Sequence, residues 1–424
     1  MSAFSIFKDN KRQKQQQTPT AEVYYTRLAN RAKIGMFSVI ILLVVFCLFS
    51  YSFYPEELTV ENFRYLLKFI SFEQNDTVEV GSVIAFDTDT TNQYAMVRGD
   101  IAVLSKTQLA VYDTAGQILQ RVQLKNENPA LITAGKNMII YDIGGKKLDV
   151  YNSFSPVYSE SFSHPILGVS ASDNGSYAVL SGAKNYRSAI YVYDNNYRPI
   201  FSHSFPTEYT TAIELSRDGK KILTLSHITE NGAYLGSAAL FDVTAEEPIA
   251  NFKFVGELPL SCHFASDGGY MILTDLYMRF YSPENKLITE FPLPYGLLGC
   301  TYGDDYAYLT FDSTGLTETK TAVAYKSNGE KVFSGAISNT PDDTLIHGDR
   351  LYSLDNGRLT VHDLANNKLL FDIQTQSDAA EMIIHEDKLL VFTYSGVTVY
   401  GTDTLTETEI EVDESESVGS EDSQ

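Results

Sequence analysis

From Thr77 onward the chain alternates apolar and polar positions with period two, in short runs broken by Gly, Asp and Asn. Such runs are half-buried strands joined by tight turns. One of them, Leu109-Ala-Val-Tyr112-Asp113-Thr-Ala-Gly116-Gln-Ile-Leu119, reads as strand, turn, strand. Its first half returns as Leu148-Asp-Val-Tyr151, Ile190-Tyr-Val-Tyr193, Ala238-Ala-Leu-Phe241 and Met278-Arg-Phe-Tyr281. It returns again as Ala322-Val-Ala-Tyr325, Leu359-Thr-Val-His362 and Val397-Thr-Val-Tyr400. Counted between the last residues of successive copies, the spacings are 39, 42, 48, 40, 44, 37 and 38.

A second hairpin precedes each copy. In Glu214-Leu-Ser-Arg-Asp218-Gly219-Lys-Lys-Ile-Leu-Thr-Leu225 the Asp-Gly pair marks the turn, as do Asp173-Asn-Gly175 and Asp267-Gly-Gly269. These residues accept the positive φ that tight hairpin turns need. Each unit is therefore four strands, and a period near 40 with four strands per unit describes propeller blades. The sequence predicts an all-β, eight-bladed β-propeller over residues 77–412, with a seven-bladed ring as the alternative. The last repeat has no convincing fourth strand, and Val78–Phe86 is an orphan strand before the first. An open ring would expose raw edges, so Val78–Phe86 is expected to complete the last blade. Use of residues 405–412 as that outer strand is the alternative.

Ahead of the repeats the pattern is different. Ile34 to Tyr54 has no charged residue, and 21 residues at 1.5 Å each span a hydrocarbon layer of about 30 Å. An uncleaved transmembrane helix over 34–54 is expected, because the run is longer than a signal-peptide core and exits into Tyr51-Ser-Phe-Tyr54-Pro55 without a small-residue cleavage site. Over 55–76, Val60, Phe63, Leu66, Leu67 and Ile70 share one helical face. This predicts a short amphipathic juxtamembrane helix that packs on the propeller or rests on the membrane. Residues 1–33 read as a basic, disordered tail, and 413–424 as an acidic one.

Charge assigns the sides. The chain carries −22 overall, but residues 1–33 hold seven Lys/Arg against Asp9 and Glu22, leaving −27 for the remainder. The basic flank keeps the N-terminus cytoplasmic and places the acidic body outside. A body so acidic repels phosphate, which excludes nucleic acid as a partner. Cys47 lies in the apolar segment. Cys262 and Cys300 occupy equivalent places in neighbouring repeats and read as two buried, unpaired thiols, with a disulfide between adjacent inner strands as the alternative.

The Asp-Gly hairpins Ser216-Arg-Asp-Gly-Lys220 and Ser266-Asp-Gly268 resemble those of WD40-like and TolB-like propellers. Trp is absent, so the Trp-Asp signature of WD40 blades and the Trp motifs of quinoprotein propellers are missing, and no cofactor is implied. The layout of basic tail, span, amphipathic helix and Trp-poor propeller resembles an uncharacterised Gram-positive, mostly clostridial family of membrane-anchored propeller proteins. The resemblance implies the architecture and brings no activity or site residues.

Candidate chemistry is sparse. Asp87-Thr-Asp89-Thr-Thr-Asn92 begins like a calcium loop, but the sixth and twelfth positions are Asn92 and Arg98 where such a loop needs Gly and Glu. His347 and His385 sit near inner-strand turns of the last two repeats and read as structural. No metal spacing, Gly-x-Ser-x-Gly elbow or phosphate-binding loop is present. Three connections between second and third strands are long: 182–187, 227–236 and 312–320. They emerge on the face opposite the Asp-Gly turns, where insertions mark a binding face. Tyr186, Arg187, Tyr234 and Asp312 are the candidate partner-binding residues, the first three being anchor types.

The sequence reading is a membrane-anchored extracytoplasmic propeller that binds or scaffolds an envelope or membrane protein, with no catalytic residue, metal or cofactor assigned. One alternative is an envelope glycan hydrolase or lyase working at the central channel. Another is a sensor docked on a second membrane protein. The sequence leaves the oligomeric state open.

Overall fold

Blade geometry starts from the second strands. Asp100–Leu104, Tyr270–Thr274 and Tyr306–Phe311 are buried along their whole length. Alternation in such a strand separates two cores rather than core from water. Ile101 and Val103 pack toward one neighbouring blade, and Ala102 and Leu104 toward the other. Outer strands alternate more and less exposed positions, as in Ala250–Val255.

The computed structural model describes residues 31, 33–46, 81, 83–86, 91–230, 232–312 and 319–402. The chain divides into two units, Met1–Lys68 and Phe69–Gln424. In the first, residues 33–46 are helical, and the apolar side chains from Ile34 to Phe46 are exposed. The rest of the predicted span lies outside the described residues, as do the amphipathic helix, the acidic tail and nearly all of the basic tail. Among the described residues no helix is long and apolar enough to cross a membrane.

The second unit is an all-β, eight-bladed propeller. The described strands form eight antiparallel sheets of four. Blades 1 to 7 cover residues 93–123, 129–161, 166–205, 209–255, 259–292, 297–337 and 343–374. Blade 8 takes three strands from 379–401 and its outer strand from Val83–Ala85. The repeat motif is the third strand of every blade, and the count is eight rather than seven. Eight apolar clusters lie one between each pair of neighbours, including blades 8 and 1. Stacked Tyr and Phe rings fill these interfaces, for example Tyr177 on Tyr193 at 4.8 Å and Tyr270 on Tyr281 at 5.0 Å.

The ring closes as the orphan strand implied. Val83 pairs with Thr398 and Ala85 with Gly396. Gly81 N–H donates to Val399 O and Phe86 N–H to Ser395 O, at 2.8 and 2.7 Å. The outer place in blade 8 is therefore filled by Val83–Ala85, and residues 405–412 lie outside the described residues. Gly396 is required there, since a Cβ would stand 2.6 Å from the Ile84 carbonyl oxygen. The side chain of Ile84 is buried with Phe86, Tyr94 and Phe392 in the cluster joining blades 8 and 1.

Ile84→Ala is expected to cost about 2–5 kcal/mol in urea unfolding through lost burial and an unfilled cavity, whereas Val83→Ala, on the exposed side of the same strand, changes stability by less than about 0.5 kcal/mol. Removal of residues 405–424 leaves the midpoint unchanged. A loss on that truncation with none at Ile84 would assign closure to the C-terminal segment.

Candidate functional site

The ring has two unlike faces. Turns between first and second strands are acidic: Asp173, Asp218, Asp267, Asp304, Asp305, Asp349, Glu386 and Asp387 all lie there. Gly175, Gly219 and Gly268 take the positive φ these turns need. The exposed Arg217 reaches across this face, its Nη2 donating to Asp304 of blade 6 at 2.5 Å while its Nε lies 3.5 Å from Asp173 of blade 3. Among the described residues these turns carry no exposed large apolar side chain. Between blades 7 and 8 the same face holds an open groove of about 550 Å³ beside His347, Arg350, Asp363 and Asp387.

The opposite face, called here the hairpin face, carries exposed apolar and aromatic side chains among charged ones. Two of its three long connections are not loops. In blade 3 the strands run to Ala183 and resume at Tyr186, with a two-residue turn through Asn185 at φ 66°. In blade 4, Lys221–Glu230 pairs with Ala233–Asp242 over ten residues. Both are extended hairpins, since alternation and β-branched residues continue past the point where other blades turn. In blade 6 the strands end at Phe311 and resume at Lys320, and 313–318 lie outside the described residues.

Of the candidate residues, Tyr186, Arg187 and Tyr234 fall on the hairpins of adjacent blades, and Asp312 does not join them. Tyr234 is 55% exposed. Arg187 lies over the Tyr209 ring of blade 4 at 5.0 Å, and Tyr209 stacks on His227 at 5.9 Å. Beneath this stack Ser188 donates to Thr210 at 2.9 Å, Thr210 and Ser226 share a bond of 3.0 Å, and Ser237 donates to Glu208 at 3.0 Å. Asp312, exposed on blade 6, donates its backbone N–H to Gly296 O.

Sequence reasoning missed the feature that shapes the channel mouth. The inner strands of blades 3, 4, 5, 6 and 8 each carry a β-bulge near their first residues, at Leu167, Thr211, Leu260, Leu298 and Ala380. A bulge turns one side chain away from the sheet's normal alternation. Leu167, Leu260 and Leu298 are consequently exposed. Tyr295 at 90% exposure stands on a linker of the same face, and Val255 at 80% ends the outer strand of blade 4 there. Only the lengthened hairpins gave a sequence signal, since a bulged leucine reads as a core residue.

Below this rim the blades are locked by buried charge. Arg279, 8% exposed, gives two bonds of 2.7 and 2.8 Å to Glu257 and a third of 2.9 Å to Glu290. Its guanidinium lies 4.7 Å from both the Phe254 and Tyr277 rings. Burial would raise the Glu257 carboxyl, but Arg279 and Thr274 outweigh it and hold the group below its ordinary value. Near the seam, Gln93, Asp343 and Glu381 occupy equivalent inner-strand positions. Asp343 accepts Met382 N–H of the next blade at 2.7 Å, and Gln93 accepts Leu131 N–H at 3.0 Å. Glu381 does the same for Tyr94 N–H, yet burial and the neighbouring Asp343 push its carboxyl up to about 7.

Along the inner strands Glu214 lies 3.4 Å from His263, His263 stacks on Tyr302 at 5.1 Å, and Tyr302 bonds Ser261 at 2.8 Å. Cys262 and Cys300 are both unpaired, Cys262 buried and Cys300 half-buried. Cys262 packs between blades 4 and 5 and Cys300 between blades 5 and 6, so one inner strand separates them. Burial pushes the Cys300 thiol up to about 12. His347 and His385 end the inner strands of blades 7 and 8. Among the described residues no three His, Cys, Asp or Glu side chains are grouped to hold a metal. Of the would-be calcium loop, 87–90 lie outside the described residues.

Glu381 sets a pH dependence. Between its ordinary value of 4.5 and about 7 the folded ring holds a proton that the unfolded chain releases. Its stabilising contribution is thus complete below 4.5 and is lost as pH rises through 7. Glu381→Gln, which copies Gln93, is expected to exceed the parent above pH 7 by on the order of 2 kcal/mol, and to flatten the slope of thermal midpoint against pH between 4.5 and 7. Parallel profiles for the two proteins would refute this.

Solved structures share the fold at low identity. BamB from Moraxella catarrhalis is 13% identical with a TM-score of 0.51, over 76% of this chain and 99% of that one. Sqt1 from Saccharomyces cerevisiae is 8% identical with a TM-score of 0.57, over 76% and 99%. The C-terminal WD40 domain of Sif2 is 13% identical with a TM-score of 0.54, over 76% and 99%. At these identities the likeness shows the propeller alone. No curated protein matches the sequence. A family model described as a family of unknown function, DUF5711, matches residues 71–400, and the chain belongs to that family.

Proposed function

We propose that the chain is a membrane-tethered, non-catalytic binding module whose hairpin face docks an envelope or membrane protein. The observation that carries the reading is the gathering of exposed apolar and aromatic side chains on that face. Leu167, Leu260 and Leu298 come from bulges, and Tyr186, Tyr209 and Tyr234 from the hairpin region. Exposed apolar patches of this kind mark interaction sites, and rigid Tyr and Arg side chains are the usual anchors. Locking by Arg279 and by the serine–threonine seam holds the patch in shape, so little ordering entropy opposes docking.

The tether rests on the uncharged stretch 34–54 and on the exposed apolar side chains of the helix over 33–46. The basic N-terminal flank sets the propeller outside the cytoplasm. The same arrangement characterises the Gram-positive anchored family that the sequence resembles. Within blade 8 the closing strand runs toward the hairpin face, since Val83 lies farther from that end than Ala85.

The absence of catalysis rests on the bulged mouth, whose five side chains are leucine, threonine or alanine. The neighbouring carboxyls Asp343 and Glu381 are committed to backbone N–H groups. Fold alone decides nothing here, since propellers host many functions.

A photo-crosslinking residue at Tyr234 or Leu260 is expected to capture an envelope or membrane protein in cells, with no product from Asn174 or Asp267 on the acidic face. Tyr234→Ala should weaken the captured pair by about 1–3 kcal/mol. Capture from the acidic face alone, or turnover of envelope glycans by the purified protein, would overturn the reading. Separately, the protein should resist carbonate extraction from membranes, and Leu42→Arg with Val45→Arg should release it.

A further inference from the structure

Between blades 6 and 7, where the inner strands begin, the hairpin face holds a cavity of about 270 Å³. Its walls are the blade 6 residues Leu298–Thr301, Tyr308 and Thr310, the linker 340–342, and Asp343 and Thr344 of blade 7. Two backbone features open it. The bulge turns Leu298 outward, and Gly299 has no side chain where even a Cβ would stand 3.4 Å from Thr310 Oγ1. That volume is many times the roughly 10–15 Å³ that one water needs, room for a molecule of monosaccharide size.

The lining is rich in hydroxyls and has no Lys, Arg or His. Most of its polar groups are already engaged. Thr301 and Thr344 bond each other, Thr340 accepts Lys320 Nζ, and Asp342 accepts Asn356 N–H. Asp343 accepts Met382 and Thr344 N–H. Two hydroxyls are not engaged. Tyr308 is 3% exposed and Thr310 5%, and neither hydroxyl has a hydrogen-bond partner among the described residues. Neither hydroxyl atom is sealed away from the cavity, and burial of the residue pushes the Tyr308 phenol up to about 12.

The chemistry of the lining selects a ligand class. The lining holds the Asp342 and Asp343 carboxyls and no cationic side chain, which disfavours an anion such as phosphate. Among the described residues no three His, Cys, Asp or Glu side chains are grouped here to hold a metal. A hydroxyl both donates and accepts, so Tyr308 and Thr310 match a ligand built of hydroxyls. We propose that this cavity binds a neutral polyhydroxylated molecule, a sugar or polyol, through the Tyr308 and Thr310 hydroxyls. The site needs neither the membrane tether nor a protein partner, and so stands apart from the docking reading. That chemistry has two sources, a free small sugar and the terminal unit of a glycan. Tyr295, 90% exposed and three residues ahead of Leu298, offers a ring face to a second sugar unit.

The test is titration of the full-length protein with glycerol, glucose, N-acetylglucosamine and its β-1,4-linked trimer, with ethanolamine as a cationic control. At least one neutral ligand is expected to bind. Tyr308→Phe and Thr310→Val should each weaken it about tenfold, while the unliganded thermal midpoint holds or rises. If Tyr295→Ala weakens the trimer alone, the natural ligand is a glycan end, and if it weakens neither form, a free sugar. The proposal is overturned if no neutral ligand binds, if binding survives both hydroxyl substitutions, or if only ethanolamine binds. A fall in the unliganded midpoint of Tyr308→Phe would also overturn it, because the hydroxyl would then have a structural partner.

Discussion

The structure depends on one pairing, the short strand Val83–Ala85 laid antiparallel against the third strand of blade 8. A four-stranded sheet cannot bury both of its faces alone. It does so by stacking on two neighbours, and a row of such sheets ends in two uncovered faces unless it closes. Here the first strand of the ring completes the last blade, and Ile84 and Phe86 join the cluster shared with blade 1. Residues distant in sequence are thereby held together, and Tyr94 OH donates to Thr393 O across the same seam at 2.8 Å.

Closure also dictates where function can sit. With second strands buried on both sides, the blade interiors carry packing and little else. Chemistry is left to the two faces and to the inner-strand ends, and the faces diverge. Asp-rich turns make one face acidic because Asp and Gly are what a tight turn accepts. The other face has tight turns of its own, at Asn185, Gly232 and Gly357, but bulges, extended hairpins and linkers also deliver leucine and tyrosine to solvent there. The seam residues Asp343 and Glu381 show that polar groups near the channel are also spent on joining blades.

Much of the architecture was readable before the structure. Tyr112 and its seven counterparts mark third strands because a strand that packs between neighbours and then turns needs the same apolar–aromatic–turn order each time. Asp218-Gly219 and Asp173-Asn-Gly175 fixed the first hairpins through their backbone freedom. Val78–Phe86 was recognisable as the closing strand because an edge must be filled. The candidate face followed from the long connections, although at 182–187 and 227–236 these proved to be strand, not loop. The bulges at Leu167, Leu260 and Leu298 were illegible. A bulge adds one residue without changing composition, and a leucine in an inner strand reads as core. Glu257, in a linker, reads as a solvated acid until Arg279 arrives from the next blade. Tyr308 reads as packing, and its unpaired hydroxyl is visible only once the surrounding side chains are placed.

The central claim is that the bulged, aromatic face is the contact surface of the protein in its cell. Hydroxyl-radical footprinting tests it most directly, by comparing modification of Leu260, Leu298 and Tyr234 in intact cells and in purified protein, with Ile200 and Leu287, exposed on outer strands, as references. The account predicts protection of the first three in cells and equal labelling of the references. Equal labelling of all five in both states would contradict it.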